Sequence, residues 1–493
     1  MNSNPLISLD LPVKADFILI PYAEKDQKKL VRFLQQASSI HPDTWYAEAK
    51  SLAENHQPAY KKYVEHWYGR QKLVLMGLGK EETYNKISQV SRWAAHQLID
   101  RKTDQHIALI LPDFLNGETI SALSNGFQLS TLRLDYYKKE KSTRQVNISL
   151  HPARKAAFKS IQEGLDLATV QEKICHLVNL PPNEKNPDLI VQWAKKNFQH
   201  RNIQITVFDD DALINQGLNA LHTVGKGSAT PPRLLILEYL PENAGKKLKH
   251  VGLVGKGVTF DTGGISLKDP LNMHLMKSDM GGAAAVLGAL DLVEKMGLPI
   301  RLTGIIPLAE NAIGPDAYRP GDVIRAYNGK SIEVIDTDAE GRLILADALS
   351  YLIKKYKPGY IVDLATLTGS CIQTLGNKAA GLFTANSALA QSLLYAGNRT
   401  GEKLWQLPLW PEYEDEMVSD IADIKNLATK PVAGAITAAK FLEAFTDSHP
   451  AWAHLDIAGV AMVDSDYSKL RSATAYGVLL ISKWIENLIN EVK

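Results

Sequence analysis

Acidic residues spaced two apart mark the segment with the clearest chemical potential. Asp336, Asp338 and Glu340 alternate with small residues, and Arg342 follows at the same spacing. Alternate residues of an extended backbone project to one side, so we expect Asp338, Glu340 and Arg342 to face the same space. A helix is predicted over 343–355, and the first turn of a helix also favours acidic residues. That alternative accounts for one acid, but poorly for three acids with an arginine among them.

Two further aspartates lie in an earlier segment of the chain. Asp261 and Asp279 are each followed two residues later by a pair of glycines, which allows positive φ or a close approach of backbone. Four carboxylates that converge would repel one another and raise one another's pKa, and hard divalent cations remove that cost. Oxygen-rich sites suit Mg²⁺, Mn²⁺ or Zn²⁺, and two-metal sites share their carboxylates. The sequence therefore predicts a divalent-metal centre.

Lysine and histidine patterns exclude two common alternatives. The Val-Gly-Lys-Gly run at 254–257 lacks the spacing and the Lys-Ser/Thr of a phosphate-binding P-loop. The same tetrapeptide recurs at 224–227 without an acidic partner nearby, so it carries little weight alone. The thirteen histidines include no His-Glu-x-x-His pair of a helix-borne zinc protease. We interpret His274 and His454 as structural or supporting residues rather than metal ligands.

The elements that must position these residues follow an α/β pattern. β-type runs at 250–254, 300–306, 332–335, 360–365 and 453–458 alternate with helical segments, which predicts a central, mostly parallel sheet flanked by helices. Ligands of such sheets bind beyond the carboxyl ends of the strands. The two acidic segments follow the first and third runs, and a third polar segment, Thr-Leu-Thr-Gly at 366–369, follows the fourth.

The first third of the chain predicts a separate, smaller α/β domain. Short apolar runs at 17–20, 73–76 and 107–111 alternate with helical patterns at 29–37 and 87–99. Helical periodicity over 156–180 ends at two prolines. We therefore predict an N-terminal α/β domain over 1–150, a connecting helix within 151–180, and a larger C-terminal catalytic α/β domain over 181–493.

Composition limits the remaining classes of function. Among 493 residues, 55 Lys and Arg balance 54 Asp and Glu, and a net charge of +1 argues against an electrostatic nucleic-acid or membrane binder. The seven basic residues between 135 and 159 are interpreted as a solvated face or linker. Cys175 and Cys371 lie too far apart for a thiolate metal motif and suggest no disulfide framework. Charged residues interrupt any N-terminal signal-type segment, and no apolar run reaches membrane-spanning length, so we expect a cytoplasmic protein.

The chain resembles the leucyl (cytosol) aminopeptidase family. The resemblance rests on Val-Gly-Lys-Gly and Thr-Phe-Asp-x-Gly-Gly within 254–264 and on Thr-Asp-Ala-Glu-Gly-Arg-Leu at 337–343. Further matching segments lie at 420–426, 434–438 and 454–459, so the likeness runs from about Cys175 almost to the end. It implies a hydrolase that removes the N-terminal residue of peptides, with a broad, leucine-type preference. Two divalent ions per subunit, zinc or manganese, and a homohexamer are also implied.

The resemblance assigns roles to individual residues. One ion would be held at Lys256, Asp261, Asp279 and Glu340, and the other at Asp261, Asp338 and Glu340. Lys256 can bind a metal only as the neutral amine. The resemblance also implies Lys268 as an electrophile and Arg342 as the residue that holds bicarbonate, the general base. Substrate would contact four further positions, which are Met276, Thr366, Leu367 and Gly369.

Two departures and two other functions remain open at this point. Asp336 stands where the family usually has asparagine, and His274 stands where it usually has aspartate. Some bacterial members of the family also bind DNA. In this chain only the basic stretch between 135 and 159 supports such a role. A metal-dependent phosphatase or nuclease could use the same carboxylates.

Overall fold

A computed structural model describes residues 5–490, except 11, 13, 81–82, 100–102, 140–145, 200, 243–247 and 466–467. The chain forms two compact units. The first comprises residues 1–172 with the short stretches 399–401 and 465–469, and the second comprises the remainder from 173 to 493. The helix predicted over 156–180 is observed as Phe158–Asn179, and the division between the units falls within it.

The first unit is built on a six-stranded sheet. Its elements are β1 Leu6–Ile7, β2 Phe17–Tyr22, α1 Gln27–Ile40, α2 Tyr46–Asn55, β3 Tyr63–Tyr68, β4 Gln71–Gly77, α3 Tyr84–Leu98, β5 Gln105–Leu111, α4 Gly117–Leu129, β6 Val146–Pro152 and α5 Phe158–Asn179. The strand order is β1-β6-β5-β2-β4-β3, and only the β3–β4 pair is antiparallel. The three predicted strands are confirmed, and each is two or three residues longer than its apolar run.

The further elements follow from residue 187 onward. They are α6 Pro187–Phe198, β7 Ile203–Phe208, α7 Asp210–Gln216, α8 Asn219–Gly225, β8 Arg233–Tyr239, β9 His250–Gly255, β10 Gly257–Asp261, α9 Gly281–Lys295, β11 Arg301–Asn311, β12 Val323–Arg325, β13 Ser331–Glu333, α10 Glu340–Tyr356, β14 Tyr360–Ala365, α11 Gly369–Leu375, β15 Ala380–Phe383, α12 Ser387–Thr400, β16 Leu404–Gln406, β17 Ile424–Lys425, α13 Gly434–Glu443, β18 Trp452–Asp456, β19 Met462–Ser465, β20 Ser468–Ala473 and α14 Val478–Asn490.

A nine-stranded sheet forms the centre of the second unit. Its order is β16-β15-β18-β14-β9-β11-β8-β7, and β10 pairs with the end of β11. The middle strands β18, β14, β9 and β11 are parallel, whereas β15, β8 and β7 join antiparallel. The prediction of a mostly parallel sheet is therefore confirmed, with antiparallel pairings toward its edges.

Helices cover both faces of this sheet. A Cβ at Gly252 would meet Leu352 of α10, whereas one at Gly255, which faces the opposite side, would meet the backbone of α9 at Gly282 and Ala283. Because alternate residues of a strand face opposite sides, α9 and α10 lie on opposite faces. Asp279 lies two residues before the start of α9, and Glu340 is the first residue of α10. The sheet and these two helices therefore position the acidic residues.

One strand prediction was wrong. The run at 332–335 forms the three-residue strand β13, which pairs with β12 and β17 in a separate three-stranded sheet rather than in the central sheet. The extended arrangement expected for Asp338, Glu340 and Arg342 was also wrong, because α10 begins at Glu340 instead of residue 343. An acid at the first position of a helix is favoured by the helix dipole, which the period-two spacing concealed.

The other compositional expectations concern surface and core. Cys175 and Cys371 are buried and are not bridged to one another. Among the described residues, each helix is too short or too polar to span a lipid bilayer. Within the basic stretch, Lys141 and Arg144 lie outside the described residues. The described basic residues of that stretch are exposed, namely Lys138, Lys139, Arg154, Lys155 and Lys159.

Candidate active site

The five residues predicted as metal ligands come together where strands of the central sheet meet the starts of α9 and α10. Lys256 lies between β9 and β10, and Asp261 is the last residue of β10. Asp279 lies just before α9, Asp338 just before α10, and Glu340 is the first residue of α10. Carboxylate oxygens of Asp261, Asp338 and Glu340 all lie within 4.8 Å of one another, a grouping that could hold a metal ion.

Lys256 lies among carboxylates on the other side of this cluster. The side chain is 3% exposed, and its Nζ lies 2.9 Å from Asp279 Oδ2 and 2.9 Å from Glu340 Oε1. The same nitrogen donates a hydrogen bond to the backbone carbonyl of Thr366 at 3.0 Å. Burial lowers the pKa of Lys256, but the negative charges of Asp279, Glu340 and Asp261 raise it by more than burial lowers it. The net shift of this pKa is therefore upward. In this arrangement the positive charge of Lys256 partly neutralises the surrounding carboxylates.

Lys268 contacts the opposite edge of the cluster. Its Nζ lies 2.8 Å from Asp261 Oδ2 and also contacts the carboxylate of Asp338. Burial lowers the pKa of Lys268, and the neighbouring carboxylates, led by Asp261, outweigh that effect and raise it. The side chain keeps 22% of its surface exposed, so it can reach both the carboxylates and a bound molecule.

The electrostatics of the carboxylates fit a cation site. Burial raises the pKa of Asp338 to about 7, and repulsion from Asp261 and Glu340 adds to the rise. The pKa values of Asp279 and Glu340 are likewise raised, first by burial and then by their acidic neighbours, despite the attraction of Lys256. Two lysines therefore do not neutralise the cluster. An oxygen-rich donor set with this deficit of positive charge fits hard divalent ions.

Asn311 fixes the orientation of Asp261. Its Nδ2 donates to Asp261 Oδ1 at 2.8 Å and to the carbonyl of Thr337 at 3.0 Å, and the backbone N–H of Gly263 also donates to Asp261 Oδ1 at 2.8 Å. The other oxygen of Asp261 is thereby directed toward Lys268. Asn311 was not predicted from the sequence, because the apolar run over 300–306 indicates a shorter strand, whereas β11 continues to Asn311. Apolar residues that persist to Ala309 were the available signal.

Asn426 holds the second acidic segment and Arg342 together. Its Oδ1 accepts from Ile335 N at 2.7 Å, and its Nδ2 donates to the carbonyl of Asp336 at 2.6 Å. Its own carbonyl accepts from Arg342 Nη1 at 2.7 Å. Within the segment, Asp336 Oδ1 accepts from the backbone N–H of Asp338 at 2.8 Å. Asn426 lay in a matching segment of the resemblance but received no role from the sequence.

Arg342 is a buried cation with a spare donor. Burial lowers its pKa to about 10, so the guanidinium stays charged at neutral pH. Among the described residues, Arg342 Nε has no hydrogen-bond partner. Buried polar atoms are normally paired, and an anion is the ligand that would complete this one.

Two of the predicted substrate positions, Met276 and Thr366, contact Asp279 of the cluster. Met276 belongs to a short 3₁₀ helix over Met273–Ser278, and its carbonyl accepts from the backbone N–H of Asp279 at 3.1 Å. Thr366 follows β14, and its hydroxyl donates to Asp279 Oδ1 at 2.8 Å. Gly369 begins α11, where a Cβ would meet no atom within 4 Å. The position at Gly369 therefore has open space next to its backbone.

The two singled-out histidines lie apart from the acidic cluster. His454 is fully buried, and its Nδ1 lies 2.5 Å from Asp363 Oδ1, whose second oxygen accepts from Trp452 Nε1 at 2.7 Å. His274 is exposed in the 3₁₀ helix that carries Met276. The structure thus places His454 in an internal ion pair on neighbouring strands rather than among the site carboxylates.

Comparisons with known proteins agree with the fold and identify the family. Residues 173–482 match the cytosol aminopeptidase family, catalytic domain. A probable cytosol aminopeptidase of Chlorobaculum tepidum is 38% identical over 498 residues, covering 95% of this chain and 96% of that protein. A mutant of tomato leucine aminopeptidase aligns with a TM-score of 0.84 and 30% identity, covering 99% of this chain and 97% of that one. The bottromycin maturation enzyme BotP in complex with Mn aligns with a TM-score of 0.82 and 29% identity, covering 96% and 100%.

The two-unit α/β fold and these similarities define the class as an aminopeptidase-type hydrolase. The chain belongs to the cytosol aminopeptidase family. The resemblance inferred from the motifs is thereby confirmed.

Proposed function

We propose that this chain is a metal-dependent aminopeptidase that removes the N-terminal residue of peptides, with a broad, leucine-type preference. The observation that carries the proposal is the convergence of Asp261, Asp338 and Glu340 within 4.8 Å in a member of this family. Lys256 and Asp279 complete the group from the opposite side.

Two divalent ions, zinc or manganese, fit this donor set. Lys256, Asp261, Asp279 and Glu340 would hold one ion, and Asp261, Asp338 and Glu340 the other. The Mn bound to BotP supports manganese as one candidate. Bound at these residues, such ions would supply Lewis-acid chemistry, lowering the pKa of a coordinated water and polarising the scissile carbonyl. Lys256 would have to lose its proton to become a ligand, so binding should release protons.

Lys268 is proposed to stabilise the oxyanion of the tetrahedral intermediate. Its Nζ already lies at the edge of the cluster, held by Asp261 and Asp338, and part of the side chain faces open space. A donor placed where negative charge develops contributes roughly 3 to 4 kcal/mol to the lowering of the barrier.

Arg342 is proposed to hold bicarbonate. The buried guanidinium carries positive charge, and its Nε offers a hydrogen bond that no described residue accepts. Bicarbonate held there would supply a general base for proton transfer from water to the leaving amine. Asn426 keeps the guanidinium in place through its backbone carbonyl.

Likeness to the family supports further parts of the proposal, which concern substrate contacts and assembly. Met276 would form a wall of the side-chain pocket, and the backbone at Thr366, Leu367 and Gly369 would contact the peptide. A homohexamer in the cytoplasm is part of the proposal. Nucleic acid is not, because the net charge of +1 offers no excess of basic residues.

An aminopeptidase assay on a panel of aminoacyl substrates tests the proposal. The protein is first treated with chelator and then supplied with Zn²⁺, Mn²⁺ or Co²⁺. We expect activity to vanish on chelation and to return with at least one ion, and an N-acetylated substrate to stay uncleaved. Release of phosphate from phosphoesters without release of leucine would instead support a phosphatase or nuclease.

A further inference from the structure

One peptide unit links Lys256 to a buried carboxylate outside the metal-ligand set. The carbonyl of Thr366 accepts from Lys256 Nζ at 3.0 Å, and the N–H of the same peptide, which belongs to Leu367, donates to Asp456 Oδ1 at 3.2 Å. A trans peptide is planar, and its C=O and N–H point in opposite directions. The orientation of the N–H therefore fixes the orientation of the carbonyl that holds the lysine.

Asp456 is built to hold this peptide. It is fully buried at the end of β18, and its Oδ2 accepts from the hydroxyl of Thr368 at 2.7 Å, while Oδ1 also accepts from Ala458 N at 3.1 Å. Hydrogen bonds to an ionised carboxylate are stronger than those between neutral groups. The carboxylate thus grips two consecutive residues, Leu367 and Thr368, after β14.

The segment between β14 and α11 is held from two sides. On one side, Thr366 donates to Asp279 and accepts from Lys256. On the other, Thr368 donates to Asp456 and accepts from the backbone N–H of Cys371, which caps α11. A change at Asp456 would therefore be transmitted to Lys256 through the peptide unit at Thr366 rather than by direct contact.

The surroundings of Asp456 support a fixed geometry. Asp456 pairs in register with Ala365 of β14, and His454, two residues earlier on the same strand, pairs with Asp363. Burial raises the pKa of Asp456, whereas His454 and three donated hydrogen bonds oppose the rise. The carboxylate is placed by the central sheet itself.

We propose that Asp456 is a positioning residue that directs Lys256 toward the metal site. By orienting the peptide between Thr366 and Leu367, it holds Lys256 Nζ in the place where Asp279 and Glu340 also reach it. The inference rests on the proposed function for the role of Lys256 as a ligand. It adds a residue that touches neither metal ligand nor substrate to the machinery of the site.

Mn²⁺ titration of the chelated protein tests this role without relying on activity. In Asp456→Asn one oxygen remains to accept from the N–H of Leu367, but the amide NH₂ group that replaces the other oxygen cannot accept a hydrogen bond from the hydroxyl of Thr368. Thr368→Val removes the donor of the same hydrogen bond. We expect each variant to bind Mn²⁺ at least about tenfold more weakly, because the hydrogen bond that is lost involves a charged group and orients the carbonyl that holds Lys256. Thr368→Ser, which keeps the hydroxyl, should bind Mn²⁺ with wild-type affinity. The double variant should be no weaker than Asp456→Asn alone.

Asp347→Asn is the matched control. Asp347 is also a buried carboxylate that accepts three backbone N–H groups, but these belong to Ala220, Leu221 and Tyr327. It should bind Mn²⁺ as wild type does, with unchanged kcat and KM. In the Asp456→Asn enzyme, kcat should fall more than KM rises.

The outcomes separate this inference from the proposed function. A Mn²⁺ affinity of Asp456→Asn within twofold of wild type, or equal losses in Asp456→Asn and Asp347→Asn, overturns the positioning role. Absence of aminopeptidase activity in the wild type would overturn the proposed function, while the Mn²⁺ comparison would still decide whether Asp456 acts on the site.

Discussion

Gly341 leaves no room for a side chain beside Lys256. A Cβ at this position would lie 2.5 Å from Lys256 Cε and 2.6 Å from its Nζ. The lysine cannot move aside freely, because it is 3% exposed and is held by Asp279, Glu340 and the carbonyl of Thr366. The glycine between Glu340 and Arg342 therefore lets α10 begin in direct contact with the lysine.

Gly341→Ala should accordingly impair the site while the helix itself tolerates the change. Alanine favours a helix over glycine by about 1 kcal/mol, but an added methyl in a packed site costs about 1 to 3 kcal/mol. We expect kcat/KM and Mn²⁺ affinity to fall at least about tenfold, as measured by steady-state kinetics and titration. Gly359→Ala is the control, since its Cβ would meet nothing closer than 3.6 Å. Wild-type kinetics in Gly341→Ala would show that Lys256 can relocate at little cost.

Lys268→Ala should separate turnover from metal content. The proposed role of Lys268 in stabilising an oxyanion predicts a loss of about 10² to 10³ in kcat. Metal analysis should give nearly the wild-type number of ions, because Lys268 is not among the proposed ligands. Removal of a cation that contacts Asp261 and Asp338 should, if anything, strengthen cation binding. Retained wild-type turnover would remove Lys268 from the mechanism.

Neutral replacements of two proposed ligands should show the opposite pattern. Asp338→Asn and Glu340→Gln each remove one carboxylate from the cluster, so the metal-to-protein ratio should drop below that of wild type. The increase in melting temperature that Mn²⁺ gives the wild type should shrink in both variants, because stabilisation by a ligand depends on its affinity. Asp210→Asn, which alters a carboxylate paired with His222 away from the cluster, serves as control. Two ions per subunit in either variant would contradict the ligand assignment.

The sequence predicted which residues form the acidic cluster better than it predicted how their backbone is arranged. Motifs identified Asp261 and Asp338 because the residue types and their neighbours are sufficient to recognise the family. The spacing of two, by contrast, indicated extended backbone from Asp338 through Arg342, whereas the helix begins at Glu340. Acidic residues at every second position are compatible both with extended backbone and with the start of a helix. Only the packing of α10 on the sheet decides between these two structures.

Residues that orient the proposed ligands were harder to predict from the sequence than the proposed ligands themselves. Asn311, Asn426 and Asp456 act through hydrogen bonds to partners that are 50, 90 and 89 residues away in the chain. No local spacing encodes such contacts, because they arise when strands of the two sheets bring distant segments together. Asn311 alone had a local signal, the continuation of the apolar strand beyond Ile306.

A buried carboxylate away from the site predicts a pH-dependent stability. Burial raises the pKa of Asp347 to about 7 from 3.8, although three backbone N–H groups oppose the rise. Because the folded protein holds this proton more tightly than the unfolded chain does, the contribution is fully present below about pH 4 and is lost as pH rises through about 7.

Asp347→Asn should remove this contribution. In chelator, the free energy of urea unfolding should fall between pH 5 and pH 8 by up to about 3 kcal/mol more in the wild type than in Asp347→Asn, at about 1.4 kcal/mol per pKa unit. Ile324→Val, a mild change in the same core that carries no titratable group, should keep the wild-type pH slope. Equal slopes in wild type and Asp347→Asn would mean that this carboxyl titrates normally in the fold.

Asp336→Asn should remove charge from the site edge without changing its backbone. Asp336 Oδ1 accepts from Asp338 N–H at 2.8 Å, a bond that an asparagine oxygen can also accept. Loss of a carboxylate two residues before Asp338 should weaken Mn²⁺ binding by about two- to fivefold at low ionic strength, and less in high salt because the charge is screened. Asp336→Ala, which also loses the turn, should unfold at lower temperature. Mn²⁺ titrations at two salt concentrations measure the effect, and identical affinities at low salt would show that the Asp336 charge does not reach the metal site.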